Sequence, residues 1–392
     1  MTTSVRLDIA PALLQWAKDR SGFDDERFTK LAPKCHAWLS GEERPTIKQA
    51  ERFAKATHTP FGYLLLPEPP VEELPVADFR TLPKTRGRRP SPDLLDTIDA
   101  CERRQEWFRT YAQQQQLDQV PFVATVALDD AVEAVAAAMR ETFDFGIEDR
   151  ARYSNWSEAL SGLAERAETS GVLVMISGVV GANAHRKLDP DEFRGFALCD
   201  DLAPVVFVNG ADTKAAQIFT LAHELAHLWL GASGVSDTAI ADEASAESDD
   251  EPTVERWCNR VAVEFLVPRA TLVDEVVDTD DEITPILDRL AQCYRVSTLV
   301  VLRRLFDASI ISRSRFRDEY EVELARVMAL KNARGTGGNF YYTQPVRVSK
   351  ELARAVIVDT LEGHTLHHEA FKLLGINRIE TFDELRARMG VG

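Results

Sequence analysis

Phe219-Thr220-Leu221-Ala222-His223-Glu224-Leu225-Ala226-His227-Leu228-Trp229-Leu230-Gly231 is the stretch on which the reading of this chain turns. Ile218, Leu221, Ala222, Leu225 and Trp229 recur at the three-and-four spacing of a helix's apolar stripe, while Thr220, His223, Glu224 and His227 share the opposite side. Asp212 or Thr213 can cap the start, and Gly231 stands where a helix usually stops. On such a helix a spacing of four puts His223 and His227 one turn apart on one face, where both imidazoles can reach a single metal ion. Glu224 points along the edge of that face and reaches a metal-bound water without being a ligand.

Neutral imidazoles are common nitrogen ligands of zinc, and a catalytic zinc site keeps three protein ligands with water in the fourth position. The ion lowers that water's pKa towards roughly 7, so a carboxylate such as Glu224 can take its proton near neutral pH. Two histidines leave one ligand to find. Glu255-Arg256-Trp257-Cys258-Asn259-Arg260-Val261-Ala262-Val263-Glu264-Phe265-Leu266-Val267-Pro268 reads as a second amphipathic helix. Glu255 is its natural metal ligand, and Asn259, one turn on, is a group that could hold the other nitrogen of a ligand histidine. Cys258 is the rival ligand, but Trp257, Val261 and Ala262 around it suggest a small packed thiol.

These two stretches resemble the ImmA/IrrE metallopeptidases that carry an amino-terminal helix-turn-helix segment. The resemblance extends to Asp78-Phe79-Arg80-Thr81, to Leu188–Asp200 and to Gly337–Ser349, and so touches nearly the whole chain. It implies one Zn²⁺ held by His223, His227 and Glu255, Glu224 as catalytic base, and a thermolysin-like zincin fold. It also implies protein substrates, typically DNA-binding repressors of mobile elements or of stress genes.

The 392 residues suffice for two or three domains, and the composition is that of an ordinary soluble globular protein. No run of eighteen apolar residues occurs and the first residues do not lead into a signal-peptide core, so the expected compartment is the cytoplasm, with no membrane partner. Five cysteines, at positions 35, 101, 199, 258 and 293, include no close pair and indicate neither a disulfide framework nor a thiolate zinc cluster. A formal charge of −17 argues against broad, nonspecific nucleic-acid binding by the whole molecule.

In chain order, residues 1–70 read as short helices forming a degenerate helix-turn-helix domain. Trp38-Leu39-Ser40-Gly41-Glu42 before Pro45-Thr46 resembles the end of a phage-repressor recognition helix, which makes DNA contact through this domain conceivable. The balance of acids and bases and the placing of Pro33 favour protein contacts instead. Residues 71–92 read as a proline-rich linker with a basic run from Lys84 to Arg89, and the Phe79-Arg80 pair inside it suggests docking onto the peptidase domain.

Residues 93–320 are assigned to the metallopeptidase domain. Asp93–Gln116, Ala127–Glu141 and Trp156–Ser170 read as helices, and segments 171–176, 193–198 and 204–209 as short buried strands. A strand edge beside the cleft could pair with an extended peptide. Residues 234–252, strongly acidic, read as a loop, and Thr271–Ser312 as helical again, with a second helix-turn-helix-like pair around Tyr294–Leu305. Residues 321–392 are expected to be mostly helical, with Phe340-Tyr341-Tyr342 as a strand. His364, His367 and His368 have metal-like spacing but no evident acidic partner set, and read as surface residues.

The fold class expected is therefore α+β: a helical helix-turn-helix-like domain, a zincin-like domain with a small sheet, and a mostly helical carboxyl-terminal region. The function expected is that of a zinc endopeptidase cutting a regulatory protein. The alternative is a DNA- or partner-binding regulator whose metal site is structural or sensory. A donor for the tetrahedral oxyanion is sought among Tyr341, Tyr342, His185 and Arg80, and neither the cleavage sequence nor the oligomeric state follows from the sequence.

Overall fold

In the computed structural model, residues 5–80, 89–236, 253–275, 282–331 and 340–391 are described. The chain divides into two compact units, Met1–Pro75 with Gly87–Thr97, and Val76–Arg86 with Ile98–Gly392.

The first unit carries α1 (Pro11–Arg20), α2 (Asp25–Leu31), α3 (Cys35–Leu39) and α4 (Ile47–Ala56), followed by a 3-10 turn at Phe61–Leu65. Leu13, Leu14, Trp16, Phe28, Trp38 and Phe53 make its core. Thr46 and Gln49 form a reciprocal capping box that starts α4 by satisfying two backbone donors. The five-residue α3 begins two residues after Pro33, whose ring cannot sit inside a helix without breaking it.

The rest of the chain is α+β. Its sheet has five short strands, β1 (Ala77–Asp78), β2 (Leu173–Ser177), β3 (Gly195–Leu198), β4 (Val205–Asn209) and β5 (Gly234–Ser236), in the order β1-β5-β3-β4-β2. β2 runs parallel to β4 and β1 to β5, while β3 is antiparallel to both its neighbours. The three strands expected from their apolar runs are present and wholly buried, as strands covered on both faces must be. Two others were not foreseen. β1 lies inside the stretch read as linker, and β5 opens the stretch read as loop.

The helices are α5 (Pro92–Gln114), α6 (Val132–Thr142), α7 (Ile147–Ala151), α8 (Trp156–Thr169), α9 (Lys214–Leu230), α10 (Thr253–Leu266), α11 (Arg269–Glu275), α12 (Ile283–Tyr294), α13 (Thr298–Asp307), α14 (Arg313–Lys331), α15 (Phe340–Val348), α16 (Lys350–Leu361), α17 (His367–Leu374) and α18 (Ile379–Arg388). α9 packs against β3, β4, α8 and α10, and α10 also against α6. α15 corrects the expectation of a strand at Phe340-Tyr341-Tyr342. Its Gln344, almost fully buried, donates to the Leu374 carbonyl at 2.7 Å, so docking onto β2 and α17 overrides the β preference of the aromatic residues. The helix expected from Ala127 begins only at Val132.

Residues 237–252, which hold most of the acidic stretch, and 81–88, which hold most of the basic run, lie outside the described residues. No helix among the described residues is long and apolar enough to cross a membrane.

Candidate metal centre

α9 is fixed at both ends. The Thr213 side chain accepts from the Ala216 amide at 3.2 Å, and Gly231 takes the left-handed conformation, with φ of 73°, that ends the helix. A side chain at Gly231 would also strike Ala124, whose β-carbon lies 2.7 Å from where a new one would stand. Behind the helix, Trp229 stacks on Phe122 with ring centroids 4.0 Å apart. The polar side of α9 is as buried as its apolar side. His223, Glu224 and His227 are all nearly inaccessible, because α10 and the sheet close over them.

α10 brings Glu255 to the same place. Its carboxylate lies 3.2 Å from His223 Nε2 and 2.9 Å from His227 Nε2, and the two imidazole nitrogens are 3.0 Å apart. Three ligand atoms each about 2.1 Å from a tetrahedral zinc stand roughly 3.4 Å from one another, so this donor set fits such an ion in chemistry and, with a shift of a few tenths of an ångström, in spacing. The three residues form a possible metal site.

The charges follow from the burial. For His223, loss of water disfavours the imidazolium, but the adjoining Glu255 carboxylate outweighs it, with help from Glu224 and Asn259, and the pKa rises to about 9. For His227, burial wins over Glu255 and the pKa falls. Glu255 is held well below the usual carboxylate range by the two imidazoles in spite of its burial. Asn259 thus bears on His223 from one turn further along α10.

Glu224 differs from all of these. Burial, together with the Glu255 charge and against the pull of His223, pushes its pKa up to about 8. Ser236 lies close enough to favour its ionised form, yet neither carboxylate oxygen makes a hydrogen bond among the described residues. A buried carboxyl group of raised pKa beside three converging donors is the kind of group that exchanges a proton near neutral pH.

Several contributors escape sequence reasoning. A β-carbon on Gly195, at the start of β3, would stand 2.6 Å from the Thr220 methyl and 2.8 Å from Glu224 Oε1, so the glycine makes room for the carboxylate. Ser236 comes from β5. Phe79 lays its ring on His227, centroids 5.5 Å apart and planes 18° from parallel, which gives the suggested docking of the Phe79-Arg80 pair a definite target. The only advance signal for Gly195 is a glycine inside an apolar strand.

The remaining candidates do not gather at the centre. Arg80 is engaged by Asp78 at 2.8 and 2.7 Å and lies 3.7 Å from Glu192, which leaves it tied as an oxyanion donor. His185 is exposed in the turn after β2. The side chains of Tyr341 and Tyr342 lie outside the described residues. Cys258 is a fully buried thiol whose pKa burial raises well above the usual value, and it is not among the residues that converge with His223, His227 and Glu255. The three carboxyl-terminal histidines are exposed as expected, but the absence of acidic neighbours needs correcting. His364 Nδ1 lies 3.4 Å from Asp359 and 3.7 Å from Glu362, because the turn that ends α16 folds them together.

Residues 167–306 match the model of the IrrE N-terminal-like domain, a peptidase family, and residues 348–388 match a domain of unknown function, DUF8813. The first match spans β2 to β5 and both helices that carry the candidate ligands, and supports the resemblance to the ImmA/IrrE family there. No curated protein and no solved structure matches the chain.

Proposed function

We propose that this chain is a zinc-dependent endopeptidase whose ion is held by His223, His227 and Glu255. A peptidase-type domain in general is what the match over residues 167–306 supports. The observation that carries the finer reading is Glu224. A site that only holds shape needs ligands, and has no use for a fourth, buried and unsatisfied carboxylate of raised pKa beside them.

When bound, the ion supplies Lewis acidity to the scissile carbonyl and to an attacking water. Glu224 accepts that water's proton on its carboxylate and returns it to the leaving amine. Gly195, with no side chain beside Oε1, leaves room for that carboxylate in its buried place. His223 gives up its own proton to serve as a ligand, and Asn259 steadies that ring. The substrate is proposed to be a regulatory protein, such as a DNA-binding repressor, presented as an extended strand.

The test is mass spectrometry of newly formed protein N-termini in cells producing the native protein or Glu224→Gln. A terminus seen only with the native protein is expected, with zinc content equal in both. Identical termini with zinc retained would reject the peptidase in favour of a structural or sensory site.

A further inference from the structure

β1 and β5 pair in parallel, Ala77 beside Gly234 and Asp78 beside Val235, and the Phe79 amide prolongs the pairing by donating to the Val235 carbonyl at 3.0 Å. That register carries the Phe79 ring across Gly234 and onto the face of His227. The fit allows no side chain beneath it, since a β-carbon on Gly234 would stand 2.2 Å from a carbon of the ring. Arg80 locks the segment. Its buried guanidinium grips the Asp78 carboxylate through Nε and Nη2, its backbone amide donates to the same carboxylate at 3.1 Å, and Glu192 approaches from the sheet side.

An imidazole turns broadly about its last torsion unless something holds it. In metal sites that holder is usually a hydrogen bond to the ring's other nitrogen. At His227 the structure adds a stacked aromatic ring to the backbone interaction with Ala232, and carries that ring on a segment pinned by two hydrogen-bonding systems. We infer that Phe79 is a positioning residue of the metal centre: it sets the plane of the His227 imidazole, so that the affinity for the ion depends on the docked segment Val76–Arg80. This rests on His223, His227 and Glu255 being a metal site, as proposed above.

The experiment uses the full chain. Zinc affinity is measured by competition with a chromophoric chelator, and the visible absorption of the Co²⁺ form is recorded as a reporter of ligand geometry. The variants are Phe79→Leu, Phe79→Ala, Phe79→Tyr and Gly234→Ala, the last expected to push the ring off its seat. Leu, Ala and the Gly234 variant are expected to bind zinc about three- to tenfold more weakly, with a shifted Co²⁺ band, and Tyr to bind within about twofold of the native protein.

Leu keeps the segment apolar, so its metal-free melting temperature separates a loss of folding from a loss of positioning. Native affinity and an unshifted band in Leu and Ala would overturn the inference, as would a Tyr variant no better than Ala. A native protein that takes up neither ion would instead refute the metal site itself.

Discussion

At the residue scale, the protons on the ligands make metal uptake depend on pH in a definite direction. His223, with its pKa raised to about 9, holds a proton that an incoming ion must displace at any lower pH. In the metal-free protein its pairing with Glu255 stabilises the fold fully below the unfolded value of about 6.5, and that contribution is lost as pH rises through about 9. Glu255, depressed, contributes above about 4.5 and loses its share only as pH falls through its folded value. The ion must therefore raise the melting temperature more at pH 8.5 than at pH 6.5, the gap widening with pH. Calorimetry of metal-free and zinc-loaded protein checks this, and a gap that narrows would contradict the assigned pair. Glu224→Gln belongs to the same scale. It should keep zinc and lose about 10²- to 10⁴-fold in peptide turnover, read with any peptide the native protein cleaves.

At the element scale, α10 is held at its far end by arginines. Arg150, fully buried, donates to the carbonyls of Leu266, Tyr294 and Phe265; Arg140 donates to the Glu264 carbonyl at 2.7 Å; Arg304 bonds Val267 and the Glu264 carboxylate. Positive charge at a helix carboxyl terminus complements the macrodipole, and here it also satisfies buried carbonyls. Arg150→Met should cost about 2–4 kcal/mol in urea unfolding, because it strands those carbonyls in the core. A cost under about 1 kcal/mol would show that they find other partners. Gly231→Ala should also destabilise, by about 1–2 kcal/mol, from its left-handed backbone and the approach of Ala124. The same scale shows what the sequence makes legible. α9, α10 and the strands β2, β3 and β4 carry their signals within themselves, as an apolar stripe, a cap, or a short apolar run, and they could be placed without knowing their neighbours. β1 could not. Two residues in a proline-rich stretch have no period, and their pairing is decided by a partner at Gly234. α15 was misread because its aromatic residues suggest a strand locally, whereas packing chooses otherwise. The cluster of His223, His227 and Glu255, a possible metal site, was legible from spacing and residue type, but Gly195, Ser236 and Phe79 meet it through contacts between distant segments.

At the scale of the whole molecule, the unit that holds the candidate metal centre is discontinuous in sequence, since Val76–Arg86 belongs with Ile98–Gly392. A fragment beginning at Ile98 should fold yet bind zinc more weakly than one beginning at Val76, measured by the same chelator competition. Equal affinities would place the centre wholly within the later residues. The β1 to β5 pairing also bears on the order of assembly. Ala77 and Gly234 are separated by most of the helices and strands that build the core, and closing so long a loop costs entropy before any contact returns it. The helices are local and can form early, whereas the edge that carries Phe79 waits for β5 to be in place. In refolding, helical signal should therefore return before the capacity to take up metal, and the proposed centre would be the last part of the chain to become competent.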